Sequence, residues 1–244
     1  MDLRRIKEEL EQRLTIVDLL ENHMLSLEMG AFLWLAADQG ASFLVAAKPR
    51  EAGKSTMLNT ILNFRREGVG RVTVEGNEET FAFLRTTKPG SAYIVCNEIS
   101  AAPVPTYLWG SKVKTLFEVM EKGFSLAASL HAETAEEIAH ILSSPPLNVS
   151  LSLLARLNFI VLLKKIVEGE QITRKLATIV EVRGADMAWG TLLTTPLFSW
   201  VPERDLFETL AYPGFLAQNG ESQFNGEMKR RIDLLTEMRQ KALL

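Results

Sequence analysis

The stretch Ser42-Phe43-Leu44-Val45-Ala46-Ala47-Lys48-Pro49-Arg50-Glu51-Ala52-Gly53-Lys54-Ser55-Thr56 decides the fold. Its first six residues form a short apolar run of the buried-strand type. Pro49 and Gly53 end that run, and a helical pattern then extends from Ser55 to Arg66. Strand, loop and helix in that order frame Gly53-Lys54-Ser55-Thr56. Phosphate binding needs backbone N–H groups pointing inward and a helix N-terminus aimed at the anion. Gly53 permits close approach, Lys54 reaches the β- and γ-phosphates, and the Ser55 hydroxyl is placed to ligate Mg²⁺. Gly53, Lys54, Ser55 and Thr56 are therefore the candidate nucleotide-binding residues, with ATP and Mg²⁺ as the expected ligands. The match is incomplete. The pattern expects glycine where this chain has Lys48, and Glu51 places a carboxylate in a loop meant to attract phosphate. Lys48 and Arg50 offset part of that charge. The plainer alternative is an inherited loop that no longer binds tightly.

Outward from this stretch, four more apolar runs follow: Val69 to Glu75, Ala92 to Cys96, Phe124 to Leu130, and Leu157 to Leu163. Helical stretches at 105–122 and 134–142 separate several of them. Strands alternating with helices predict a mainly parallel sheet between helices. Leu163 to Lys165, the turn at 167–170, and Ile172 to Val182 read as an edge hairpin. Before the decisive stretch, Leu3, Ile6, Leu10, Leu14, Val17 and Leu20 recur at steps of three and four, an amphipathic helix. A helix packed on its own domain and a partner-binding helix both fit that pattern. Met29-Gly30-Ala31 opens a second apolar helix that ends at Asp38-Gln39-Gly40. At the other end, 221–244 reads as a charged amphipathic helix with Met228, Ile232 and Leu235 on one face. The expected organisation is an N-terminal helix over 1–28, a nucleotide-binding domain over 29–212, and a C-terminal helical extension over 213–244.

With 244 residues, 47% hydrophobic and 23% charged, the composition is that of an ordinary globular protein. A net charge of −3 carries no basic excess, so nucleic acid is not an indicated partner. Met1-Asp2-Leu3-Arg4-Arg5 leads into a Lys/Glu-rich segment and not into a signal peptide. The single Cys96 forbids an internal disulfide. A cytoplasmic location is expected. No Cys/His spacing for zinc and no nucleophile elbow occur.

Four blocks, in order, now resemble one family. Ala31 to Leu35, Ser42 to Ala46 and Gly53 to Asn59 look like the motor domain of the type II/type IV secretion and pilus ATPases, above all the archaeal-type and tight-adherence branch. Val72-Thr73-Val74-Glu75 resembles the strand ending in that family's acidic box. Tyr93 to Glu98 resembles its Walker B strand, and Ser129-Leu130-His131-Ala132 its histidine box. The resemblance covers residues 30–210. It implies a RecA-like domain, a homo-oligomer, and a membrane secretion or pilus machine as partner, with the chain at the inner face of the membrane. By the same resemblance, Glu98 activates the attacking water. Glu75 ends another strand on the same sheet edge, a place to hold a Mg²⁺-bound water or the nucleophile. His131, after the strand Phe124 to Leu130, is placed to sense the γ-phosphate or to link it to a neighbouring subunit. For each the plainer alternative is a solvated or merely hydrogen-bonded side chain.

The departures are specific. The paired acidic box reads Gly76-Asn77-Glu78-Glu79, the Walker B glycine is Asn97, and the arginine-bearing stretch between Glu75 and Glu98 is short. Arg85 and Lys88-Pro89 stand in for its Leu-Arg and Arg-Pro positions. Since only residues 1–29 precede the resemblance, the family's separate N-terminal domain is expected to be absent. The expected function is thus an ATP-binding domain with weak hydrolysis. The rival is a degenerate nucleotide-binding scaffold or regulatory subunit without turnover. A small-molecule kinase would need an acceptor site that the sequence does not offer.

Overall fold

The computed structural model describes residues 14–76, 78–216 and 220–242. Its strands are β1 (Phe43–Ala46), β2 (Gly70–Thr73), β3 (Ala92–Ile99), β4 (Ser125–Leu130), β5 (Phe159–Glu168), β6 (Gln171–Asp186), β7 (Thr191–Val201) and β8 (Leu206–Thr209). They form one sheet in the order β2-β3-β4-β1-β5-β6-β7-β8. The pairings from β2 through β5 are parallel, and those from β5 through β8 are antiparallel. A strand inserted between the phosphate-loop strand β1 and β3 is the RecA-like arrangement, so the expected α/β class is the observed one.

The helices are α1 (Ile16–Glu21), α2 (Leu27–Asp38), α3 (Lys54–Asn63), α4 (Ser111–Glu118), α5 (Ala135–Ser143), α6 (Leu151–Leu154) and α7 (Glu221–Ala242). Side chains alternate across a strand, so a strand buried on both faces needs two apolar layers. β1 shows the division directly. Phe43 and Val45 join one hydrophobic cluster with Phe32, Met57 and Phe159, whereas Leu44 and Ala46 join another with Ile94, Leu116 and Ile138. The first layer is covered by α2, α3 and α7, and the second by α4 and α5.

Several expectations need correction. The N-terminal helix does not run as one element to residue 28. Thr15 caps α1, Asn22 ends it, and Ser26 caps α2 anew. Leu3, Ile6 and Leu10 lie outside the described residues. Within 105–122 only Ser111–Glu118 is α-helical, because Pro105 and Gly110 disrupt the chain before it. The edge hairpin is the first half of a longer meander that continues through β7 and β8. Pro196 and two register shifts between β6 and β7 blur the alternation that marks a strand.

The C-terminal helix forms as expected, but it is core and not an appendage. Phe224, Met228 and Leu235 belong to the same cluster as Phe32. Arg231, 2% exposed, pairs with Asp38 at 2.9 Å and with Glu227. The absence of a side chain at Gly30 makes room for Leu235, since a Cβ there would stand 3.1 Å from Leu235 Cδ1. Leu235→Ala should therefore lower unfolding free energy by ~2–5 kcal/mol, the usual range for a leucine truncated in a core. An unchanged urea midpoint would make α7 peripheral. Among the described residues, no helix is long and apolar enough to cross a membrane.

Candidate functional site

The carboxyl ends of β1, β2, β3 and β4 lie along one edge, where open α/β sheets bind ligands. At that edge β1 delivers the chain into the phosphate loop. Gly53 takes φ +93°, a left-handed conformation that a side chain strains. It stands at the N-cap of α3 with no side-chain cap, so the first backbone N–H groups of that helix have no capping side chain. Four apolar residues, Met57, Leu58, Ile61 and Leu62, bury the inner face of α3 and fix its axis. Ser55 is half-buried, while Lys54 and Thr56 are buried.

Three expected residues meet here. Lys54 Nζ lies 3.3 Å from Glu98 Oε2 and 3.4 Å from both ring nitrogens of His131. His131 Nε2 is 3.8 Å from Glu98 Oε1. Its Nδ1 lies 3.0 Å from the Lys48 carbonyl, a contact that requires the proton on Nδ1. Glu98 is 7% exposed and takes a hydrogen bond from Ser129 Oγ at 3.3 Å. Among the described residues, its Oε1 is buried without a hydrogen-bond partner. Burial pushes the Lys54 amine below the usual lysine range, against the opposing pull of Glu98. Glu98 falls inside β3, one residue before its end. The register between β3 and β4 shifts between Cys96 and Ile99, and such an irregularity re-aims a side chain.

Glu75 does not join this cluster. It follows the edge strand β2, stands exposed, and its charge acts on Arg71 and Cys96. Arg71 in turn donates to Asn59 at 2.5 Å and to Asn97 at 3.2 Å. Cys96 is fully buried, and burial pushes its thiol up to about 12, which leaves it unreactive. His140 is in α5, and His23 occupies a turn at φ +50°. Among the described residues, no group of three His, Cys, Asp or Glu side chains stands close enough to hold a metal ion.

The structure also brings in residues that sequence reasoning passed over. Arg174 Nε donates to the Glu51 carbonyl at 2.7 Å, and Lys165 Nζ to the Arg50 carbonyl at 3.4 Å. Lys165 Nζ is 3.8 Å from the Glu51 carboxylate. Lys48, in the expected glycine position, turns its amine to Glu133 and Glu137 at 3.8 Å each. A basic hairpin next in space to the loop was the available signal, but only the strand order reveals that adjacency. Together the loop, the uncapped helix start and Lys54 form a cradle suited to a polyanion.

No family model matches the chain. Over 208 residues it is 26% identical to an uncharacterized protein of Methanocaldococcus jannaschii, across 78% of this chain and 77% of that protein. It is 22% identical over 208 residues to a second uncharacterized protein of that organism, across 79% of this chain but 38% of the relative. Among solved structures it is similar to the VirB11 ATPase of the Brucella suis type IV secretion system, crystallised in complex with sulphate. That likeness has 17% identity and a TM-score of 0.45, across 66% of this chain and 55% of the other.

Proposed function

We propose that this chain binds ATP with Mg²⁺ at the loop ending in Gly53-Lys54-Ser55-Thr56 and hydrolyses it slowly. The observation that carries the reading is the convergence of Lys54, Glu98 and His131 beside an uncapped helix N-terminus. Lys54, freed from Glu98, sets its charge against the β- and γ-phosphates. The first N–H groups of α3 take phosphate oxygens. Glu98 then has Oε1, which has no hydrogen bond to give up among the described residues, available to orient a water, while Oε2 keeps Ser129. His131 touches Lys54 and lies near Glu98, so it registers what occupies the terminal-phosphate position. The half-buried Ser55, next to Lys54 in the first turn of α3, carries the hydroxyl that fits a Mg²⁺ keeping waters and phosphate oxygens as its other ligands. When bound, Mg²⁺ supplies neutralisation of phosphate charge.

The resemblance in sequence blocks extends the proposal to a homo-oligomer working at the cytoplasmic face of a membrane secretion or pilus machine. The rival reading, a scaffold that binds nucleotide without turnover, is favoured by one observation: Lys54 is already engaged by Glu98. Calorimetry with Mg²⁺-ATP, steady-state hydrolysis and light scattering on the same samples separate the two. We expect binding, slow turnover, and an oligomer that strengthens with nucleotide. Binding without turnover at any concentration would support the scaffold, and absence of binding would remove both.

A further inference from the structure

We propose that the β5–β6 hairpin acts as a clamp on the phosphate loop from within the same chain. Arg174 and Lys165 hold the loop's carbonyls outward so that its N–H groups face the nucleotide. The proposal rests on the nucleotide-binding reading above. It begins from the oddities in the loop, Lys48 in place of glycine and an acidic Glu51.

The geometry comes from the sheet. β1 stops pairing with β5 at Ala46 and Leu162, but β5 runs on to Glu168. The hairpin therefore overhangs the carboxyl edge, directly beside the loop that leaves β1. Lys165 and Arg174 are cross-strand partners in this overhang. Both reach the loop, Arg174 to the Glu51 carbonyl at 2.7 Å and Lys165 to the Arg50 carbonyl at 3.4 Å. On the opposite flank, His131 holds the Lys48 carbonyl at 3.0 Å. Three loop carbonyls are thus each tied to a side chain from a neighbouring element.

A trans peptide points its C=O and its N–H in opposite directions. Tying the Glu51 carbonyl to Arg174 therefore turns the Ala52 N–H the other way, and tying the Arg50 carbonyl does the same for the Glu51 N–H. A row of N–H groups facing one point is the anion-binding nest. Without glycine at position 48, and with Glu51 at φ +62°, the loop depends on outside contacts to keep that shape. The stem of Arg174 adds packing, since its Cδ would stand 3.5 Å from a Cβ at Gly53. Lys165 has a second effect. Its amine at 3.8 Å from the Glu51 carboxylate draws that charge away from the phosphate side. The acidic residue that made the loop look unfit is thereby accommodated.

Arg174 and Lys165 are positioning residues in this account. The test compares wild type with Arg174→Met, which keeps the stem but removes the donor, and with Arg174→Lys, which keeps a cationic donor. Calorimetric affinity for Mg²⁺-ATP and for Mg²⁺-ADP is read beside the melting temperature. Arg174→Met should weaken both nucleotides about tenfold or more, the scale of a lost charge-assisted hydrogen bond. Arg174→Lys should recover most of that loss, and all three proteins should melt together. Unchanged affinity in Arg174→Met overturns the clamp while leaving nucleotide binding intact. A loss confined to ATP also overturns it, because that pattern marks a direct contact with the terminal phosphate. Affinity that falls only in step with melting assigns Arg174 to general stability. A wild type that binds neither nucleotide removes the underlying reading and the clamp together.

Discussion

Lys54→Ala will weaken Mg²⁺-ATP binding by about 10²-fold or more, the loss expected when a charged donor to phosphate is removed. Lys54 is the buried cation of the loop, 7% exposed and at the first position of α3. Lys48 and Lys165, the nearby alternatives, are turned toward Glu133, Glu137 and Glu51. One complication follows from the ion pair with Glu98. Truncating Lys54 leaves a buried carboxylate without its counter-charge, a change that destabilises proteins markedly. Melting should therefore fall in Lys54→Ala, and lost binding alone would be ambiguous. The double variant Lys54→Ala/Glu98→Gln separates the effects, since the amide needs no counter-charge. We expect it to recover thermal stability but not affinity. If the double variant binds ATP like wild type, Lys54 has no role at phosphate and the loop is a structural inheritance.

Much of this site was legible before any coordinate. The strand, loop and helix over 42–66 announce themselves through one apolar run, two breakers and one change of period. Glu98 and His131 were each legible as residues near a strand end, and parallel pairing then places strand ends at one edge. Their meeting with Lys54 follows from strand order, with β4 beside both β1 and β3. What stayed hidden depends on register across long separations. Arg174 reaches Glu51 only because β6 pairs with β5 in one alignment, after a shift between Leu162 and Leu163. A shift of one residue would send Arg174 to the opposite face, and no local pattern in the chain specifies it. β7 and β8 were missed for a related reason: half-buried strands near the sheet's end, with Pro196 and bulges between β6 and β7, carry little alternation. Glu75 shows the converse case. Its position after an apolar run is legible, but β2 is the edge strand and leaves the carboxylate in solvent.

The second large effect concerns Glu98 and decides between a slow motor and a scaffold. Glu98→Gln keeps the size of the side chain and its place beside Ser129, while removing the charge. A carboxylate that orients water acts in the transition state, so turnover should fall by about 10² or more, the usual span for a positioned base. Affinity should behave differently. Glu98 Oε2 is 3.3 Å from Lys54 Nζ, so phosphate has to compete with it for the same cation. The amide competes less, and Mg²⁺-ATP should bind the variant at least as tightly as wild type. Falling turnover with held or improved affinity is thus the signature of a catalytic carboxylate that also guards the loop lysine. Loss of both together would mean that Glu98 mainly supports the fold, through Ser129 and the β3–β4 irregularity. If wild type hydrolyses no faster than Lys54→Ala, there is no turnover for Glu98 to support. Tighter binding by Glu98→Gln would then show a carboxylate that only restrains a nucleotide-binding scaffold.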